Sequence, residues 1–195
     1  MTRLLMGTAA LALRAGMASA DYTLHILHTN DMHSRIESIN RFDSTCNAEG
    51  EAEGECCGGV ARVKSAIDAK KAALDNQNVV VLDAGDPFQG SRFYTTYKGA
   101  AEAEFMEQMG YDAMAVGNHE FDDGDAGLAS FIGALNNGQP NSDGVVCGTP
   151  VLAANVVPEV GTPLAPDADT SLIQPYVIKE FDGQKVGIIG IAIKQ

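Results

Sequence analysis

Asp31, His33, Asp86, Asn118, His119 and Asp122 are the residues of this 195-residue chain whose types could do chemistry together. They lie in three short motifs: Thr29-Asn30-Asp31-Met32-His33, Gly85-Asp86-Pro87-Phe88-Gln89-Gly90 and Gly117-Asn118-His119-Glu120-Phe121-Asp122. A mixed set of carboxylate, imidazole and carboxamide donors suits Zn, Mn, Fe or Co better than Ca. Two such cations about 3.5–4 Å apart clamp a phosphoryl group and activate water at neutral pH. Asp31 and His33 offer ligands to one cation, Asp86 has two oxygens with which to bridge, and Asn118 offers a neutral carbonyl oxygen. His119 lies three residues before Asp122, and an imidazole held by a carboxylate is oriented in one tautomer, ready to meet charge on a leaving oxygen.

Each motif alone also has a plain reading as turn chemistry. Asp31 can be a turn residue, Asp86 before Pro87 a turn starter, and Asn118 a left-handed residue after Gly117. What favours chemistry is where the motifs fall. Each closes an apolar run: Leu24-His25-Ile26-Leu27, Val79-Val80-Val81-Leu82 and Ala113-Met114-Ala115-Val116. Short apolar runs separated by helical patterns predict buried parallel strands of an α/β fold, whose carboxyl ends gather at one edge. Asp31 and His33, two apart at a strand end, are expected to point to the same side. His25 and His28 fall in or at the end of the first strand and are expected to pack or support rather than ligate. Gln89 reads equally as an outer ligand or as turn packing, and Phe93, Tyr94 and Tyr97 as packing at a helix start.

The elements between the motifs are legible from period. Val60, Val63, Ile67 and Leu74 recur at helical spacing and stop at Asn76-Gln77-Asn78. Ala101, Phe105 and Met109 mark a second helix ended by Gly110. Leu128, Phe131, Ile132 and Leu135 mark a third ended at Asn137-Gly138. Residues 34–58, rich in Glu, Gly and Cys, read as an inserted surface loop. Val151–Ala154 reads as a further strand, residues 156–171 as loop, and 176–181 with 185–193 as a hairpin about Asp182-Gly183. The chain stops in or just after that last strand, the pattern of an interrupted protein.

The first twenty residues read as a signal peptide: a basic Met1-Thr2-Arg3, an apolar run from Leu4 to Leu13 too short to span a bilayer, and Ala18-Ser19-Ala20 before Asp21. Removing them takes away two arginines and no acids, so the formal charge moves from −13 to −15. Such a surface repels nucleic-acid polymers, which need a basic footprint, but it admits small phosphorylated substrates where bound cations reverse the local sign. Export makes disulfides expected among Cys46, Cys56, Cys57 and Cys147. Three pairings exist. Cys46 with Cys56 closes the loop between them most naturally, which leaves Cys57 for Cys147. Adjacent Cys56-Cys57 lacks zinc-site spacing.

Read together, Ile26 to His33, Gly85-Asp86 with Phe88-Gln89-Gly90, and Ala115 to Asp122 resemble the motifs of the bacterial periplasmic 5′-nucleotidase and UDP-sugar hydrolase family, within the calcineurin-like metallophosphoesterases. Cys56-Cys57-Gly58-Gly59-Val60-Ala61-Arg62 is similar to that family's turn into its first helix. The resemblance implies a four-layer α/β/β/α catalytic domain with two divalent metals, a nucleotide substrate and a periplasmic or otherwise exported setting. By it, Asp31 and His33 bind one metal, Asp86 bridges, Asn118 binds the other, and His119 with Asp122 forms the catalytic dyad. It also implies that residues 21–195 are only the N-terminal portion of that domain. No histidine follows His119, so the family's later ligands and its separate nucleoside-gripping domain are expected in cis beyond this sequence, and the fragment alone is expected to be inactive. Relatives with altered substrates remain open: 2′,3′-cyclic nucleotide phosphodiesterases, UDP-sugar hydrolases and sulfur-oxidation hydrolases. So does a non-catalytic truncated product.

Overall fold

The computed structural model describes residues 21–135 and 148–193. Four strands form a parallel sheet: β1 (His25–Thr29), β2 (Val79–Asp83), β3 (Ala113–Ala115) and β4 (Val151–Leu152), in spatial order β1-β2-β3-β4. Parallel neighbours need crossovers, and helices supply them. Between β1 and β2 lie α1 (Ala48–Glu53) and α2 (Val60–Ala73); between β2 and β3, α3 (Arg92–Tyr97) and α4 (Ala100–Met109); after β3, α5 (Gly124–Leu135). An antiparallel pair, β5 (Tyr176–Phe181) and β6 (Gln184–Ile189), completes the described elements.

The predicted strands and the three long helices all form. On α5 the residues the period selects, Leu128, Phe131, Ile132 and Leu135, are all buried. On α2 Val60 and Ile67 are buried and Val63 half-buried; on α4 Met109 is buried, Ala101 and Phe105 are half-buried, and Met106, which the period did not select, is buried. They meet Val81, Met114, Val116 and Val151 of the strand region in one apolar core, with Phe88 at its centre, fully buried and 4.7 Å from the rings of both Tyr94 and Phe131. The predicted stop of α5 at Asn137-Gly138 lies outside the described residues.

Several expectations change. The insertion at 34–58 contains a helix, α1, capped by the Asn47 side chain on the Gly50 N–H. Helix α3, which no period announces, starts where the Ser91 hydroxyl accepts from the Phe93 N–H. Of its aromatics only Tyr94 is buried, while Tyr97 is 54% exposed. Strand β4 covers two residues rather than four, and β6 ends at Ile189. Strand β1 is an edge strand with alternating burial: Ile26 and His28 face outward, so His28 is a surface residue and not a packing one.

The insertion is stapled. Cys46 and Cys56 form a disulfide with Cα atoms 5.8 Å apart, beside a two-sided backbone pairing of Ile39 with Cys57. Cys57 carries an exposed thiol that is unbridged among the described residues; Cys147, its expected partner, lies outside them.

Candidate metal centre

The three motifs converge. Strands β1, β2 and β3 are neighbours, so the loops leaving their carboxyl ends lie side by side, and backbone hydrogen bonds zip the first two together. The Asp31 N–H donates to the Gly85 carbonyl at 2.9 Å, His33 to Asp86 at 3.0 Å and Ser34 to Pro87 at 2.8 Å. The side chains follow. The ligand atoms of His33, Asp86 and His119 all lie within 4.8 Å of one another, the His33 and His119 rings are 5.2 Å apart, and Asp31 Oδ1 is 3.6 Å from His33 Nε2.

The expected reason for the Asp31–His33 approach needs correcting. Strand β1 ends at Thr29, and the two residues meet because both adopt left-handed backbone, φ 52° and 45°, rather than through strand alternation. Ser34, Asp86 and Gln89 are left-handed as well, at φ 53°, 57° and 68°. Non-glycine residues persist there at about 1–2 kcal/mol each, when their surroundings over-determine them. Asp31 and Asp86 therefore sit on left-handed loop backbone, Asp86 within the ligand cluster and Asp31 beside its His33. Asn118 is not left-handed; at φ −78° and ψ −32° it begins the single 3₁₀ turn His119–Phe121, and its side chain makes no cap.

Two glycines make room. A Cβ on Gly117 would fall on the Asp86 backbone and carboxylate, and one on Gly85 would lie 2.5 Å from the Gly117 nitrogen. The second and third motifs thus touch backbone to backbone, and the His119 N–H donates to Asp86 Oδ1 at 2.9 Å.

Both histidines are oriented from behind. His33 Nδ1 lies 3.0 Å from the Phe88 carbonyl; a carbonyl only accepts, so Nδ1 carries the proton and Nε2 is left for a cation. His119 Nδ1 lies 2.8 Å from Asp122 Oδ2. That hydrogen bond raises the imidazole's pKa above its ordinary value and holds the Asp122 carboxyl below the usual carboxylate range. Gln89 donates to the same Asp122 oxygen at 2.8 Å, so its side chain lies against the His119–Asp122 pair.

The sequence did not announce two residues that hold this arrangement. Glu120 is fully buried, and its carboxylate accepts from the backbone N–H groups of Gly117, Asp86 and Phe88 at 2.7, 3.0 and 3.3 Å. One side chain thus ties the third motif to the second. Burial pushes its pKa up to about 7. Asp83, 3% exposed, accepts from the Thr29 hydroxyl and from the Gly85 N–H, and burial raises it to about 6. The signal for Asp83 was an acid directly after an apolar run, where an acid needs donors; Glu120 carried none beyond its place in the third motif. Ser34, next to His33, is anchored by its contact with buried Glu102 of α4.

The donors present fit a divalent metal: carboxylates and imidazoles, one imidazole with a fixed free nitrogen, all at one sheet edge. A profile of the calcineurin-like phosphoesterase family matches residues 24–174, which spans all three motifs. The chain belongs to that family. The metallophosphoesterases use divalent metals. The 5′-nucleotidase of Rattus norvegicus is 39% identical over 175 residues, 89% of this chain and 27% of that protein. A snake venom 5′-nucleotidase of Naja atra is 40% identical over 174 residues, 89% of this chain and 29% of the other. Among solved structures, the 5′-nucleotidase precursor of Thermus thermophilus superposes with a TM-score of 0.66 at 34% identity, over 88% of this chain and 29% of that one. The NAD nucleotidase of Haemophilus influenzae gives 0.66 at 30% identity, over 87% and 26%. The chain therefore spans less than a third of the length of these relatives. Its architecture, a mixed α/β fold on a parallel sheet, is that of the metallophosphoesterase relatives it superposes on.

Proposed function

We propose that the protein carrying this chain hydrolyses nucleotides to nucleoside and phosphate, with residues 21–195 as the N-terminal portion of its catalytic domain. The observation that carries this reading is the convergence of His33, Asp86 and His119 ligand atoms within 4.8 Å, in a chain whose relatives are 5′-nucleotidases. Asp31 and His33 would hold one divalent cation, Asp86 would serve that ion and a second, and Asn118 would serve the second. Bound there, the two cations supply positive charge for the phosphoryl oxygens and lower the pKa of water.

The remaining chemistry belongs to His119. Its Nδ1 proton is committed to Asp122, so Nε2 is left for the substrate. A protonated Nε2 neutralises charge on the transferring oxygens or delivers a proton to the leaving alkoxide. Gln89 and Asp122 keep the ring in register. Other phosphate esters and anhydrides share this chemistry, so these residues by themselves do not choose among them.

Export accompanies the function. The leader-like residues 1–20, the Cys46–Cys56 disulfide and the venom relatives support it.

The test is phosphate release by a protein that joins this chain to the remainder of the family's length, offered AMP, NAD and UDP-glucose in parallel. Release from AMP that is lost with chelator and with Asp86→Ala is the expected result. Turnover that survives both overturns the metal-dependent route.

A further inference from the structure

Arg35 lies next to the first motif and belongs to none. Its Nη1 donates to two carbonyls, that of His33 at 3.1 Å and that of Gly90, one from each of the zipped loops. Nε donates to Asp43 Oδ1 at 2.8 Å and Nη2 to Asp43 Oδ2, a bidentate fork that fixes the guanidinium plane. Gly90, at φ 93°, is where the group fits: a Cβ there would stand 2.6 Å from the His33 oxygen and 2.8 Å from Nη1.

Asp43 is itself held. It sits in a tight turn where the Asn40 side chain accepts from the Phe42 and Ser44 N–H groups and the Asp43 N–H donates to the Asn40 carbonyl. The stem of that turn pairs Ile39 with Thr45 and with Cys57 and is closed by the Cys46–Cys56 disulfide. A continuous path of contacts therefore runs from disulfide to turn, to Asp43, to Arg35, and to the backbone of His33 and Gly90. An exposed ion pair alone contributes little. This one differs because its cation directs its other donors to the carbonyl of a residue whose left-handed backbone must be enforced.

We infer that Arg35 is a positioning residue for the metal centre, and that the disulfide-stapled insertion acts through Asp43 as the brace that holds it. The inference rests on the metal reading above, and it gives the insertion a purpose, which is to keep His33 at the angle at which Nε2 meets the cation.

Mn²⁺ titration by calorimetry of a protein that joins this chain to the remainder of the family's length, with melting of the metal-free protein alongside, tests it. Arg35→Ala weakens Mn²⁺ binding at least about tenfold, the effect of a ligand-supporting contact, and Arg35→Lys, which keeps the charge without the fork, recovers only part of that. Asp43→Asn weakens it too, and the double variant is no worse than Arg35→Ala, because both act on one contact. The visible spectrum of the Co²⁺-loaded protein shifts in Arg35→Ala, which a mere loss of stability would not produce. A lowered melting temperature with unchanged Mn²⁺ affinity and Co²⁺ spectrum overturns the brace and leaves the metal site standing. No Mn²⁺ binding by the unsubstituted protein overturns both. Should Arg35→Ala fail to fold, unchanged affinity in Asp43→Asn overturns the brace by itself.

Discussion

Glu120 concentrates at one residue the conflict that this site resolves. Its carboxylate satisfies three backbone donors that belong to two motifs, yet burial works against its charge. Glu120→Ala leaves those N–H groups without an acceptor, and each buried unpaired donor costs about 1–3 kcal/mol. Urea unfolding of the metal-free variant is expected to show a loss of at least about 2 kcal/mol. The sign of the pH dependence follows from the same group. A carboxyl raised to about 7 binds more protons folded than unfolded, so its contribution is full below its unfolded pKa and is lost as pH rises through about 7. Asp83, raised to about 6, acts in the same direction. The metal-free chain is therefore less stable at about pH 7.5 than at about pH 5. Glu120→Gln, which cannot titrate, flattens that slope; a slope unchanged by the substitution would show that Glu120 is not its source. Neither acid was visible as a working residue in the sequence, because what makes them matter is the set of N–H groups aimed at them from elsewhere in the chain.

At the scale of elements, strand β2 and the loop after it join core to site. Phe88 is buried against Tyr94 and Phe131, and its carbonyl orients His33. Phe88→Ala is expected to cost about 3–5 kcal/mol in denaturant unfolding, whereas Ile26→Ala, on the open face of β1 at 58% exposure, should stay within about 0.5 kcal/mol. The stapled insertion adds a separate contribution. Closing the short loop between Cys46 and Cys56 stabilises by about 2–3 kcal/mol on the chain-entropy account, and non-reducing peptide mapping should recover Cys46 and Cys56 linked. These elements also show where sequence was legible. Helices α2, α4 and α5 carry enough periodic apolar residues to be read directly, and β1 to β3 declare themselves by the motifs that close them. Helices α1 and α3 are six residues each and are specified by caps, Asn47 and Ser91, more than by period. The exposure of Ile26 and His28 could not be read either: the pairing order that makes β1 an edge is a property of the assembled sheet.

The whole molecule is an acidic chain that gathers its candidate ligands in one place and spans less than a third of the length of the relatives it matches. The candidate site was legible as a set of residue types at strand ends, since Asp31, His33, Asp86 and His119 do come together. The left-handed backbone that brings Asp31 to His33 was not, because it is imposed by hydrogen bonds from the neighbouring loop. Export belongs to this scale as well: secreted from a host with its first twenty residues, the protein should begin at Asp21 by intact mass, and a product that still begins at Met1 would remove the leader assignment. The central claim is that Asp86 holds metal while His119, paired with Asp122, acts on the substrate. Metal content separates the two roles where rate cannot, since both variants are slow; a charge-stabilising imidazole contributes about 10²–10⁴-fold to turnover, and loss of a bridging ligand abolishes it. The deciding measurement is therefore elemental analysis of the purified Asp86→Ala and His119→Ala variants beside the unsubstituted protein. Asp86→Ala emptied of metal with His119→Ala still loaded is the predicted result; His119→Ala emptied as Asp86→Ala is would place His119 among the ligands and contradict the assignment.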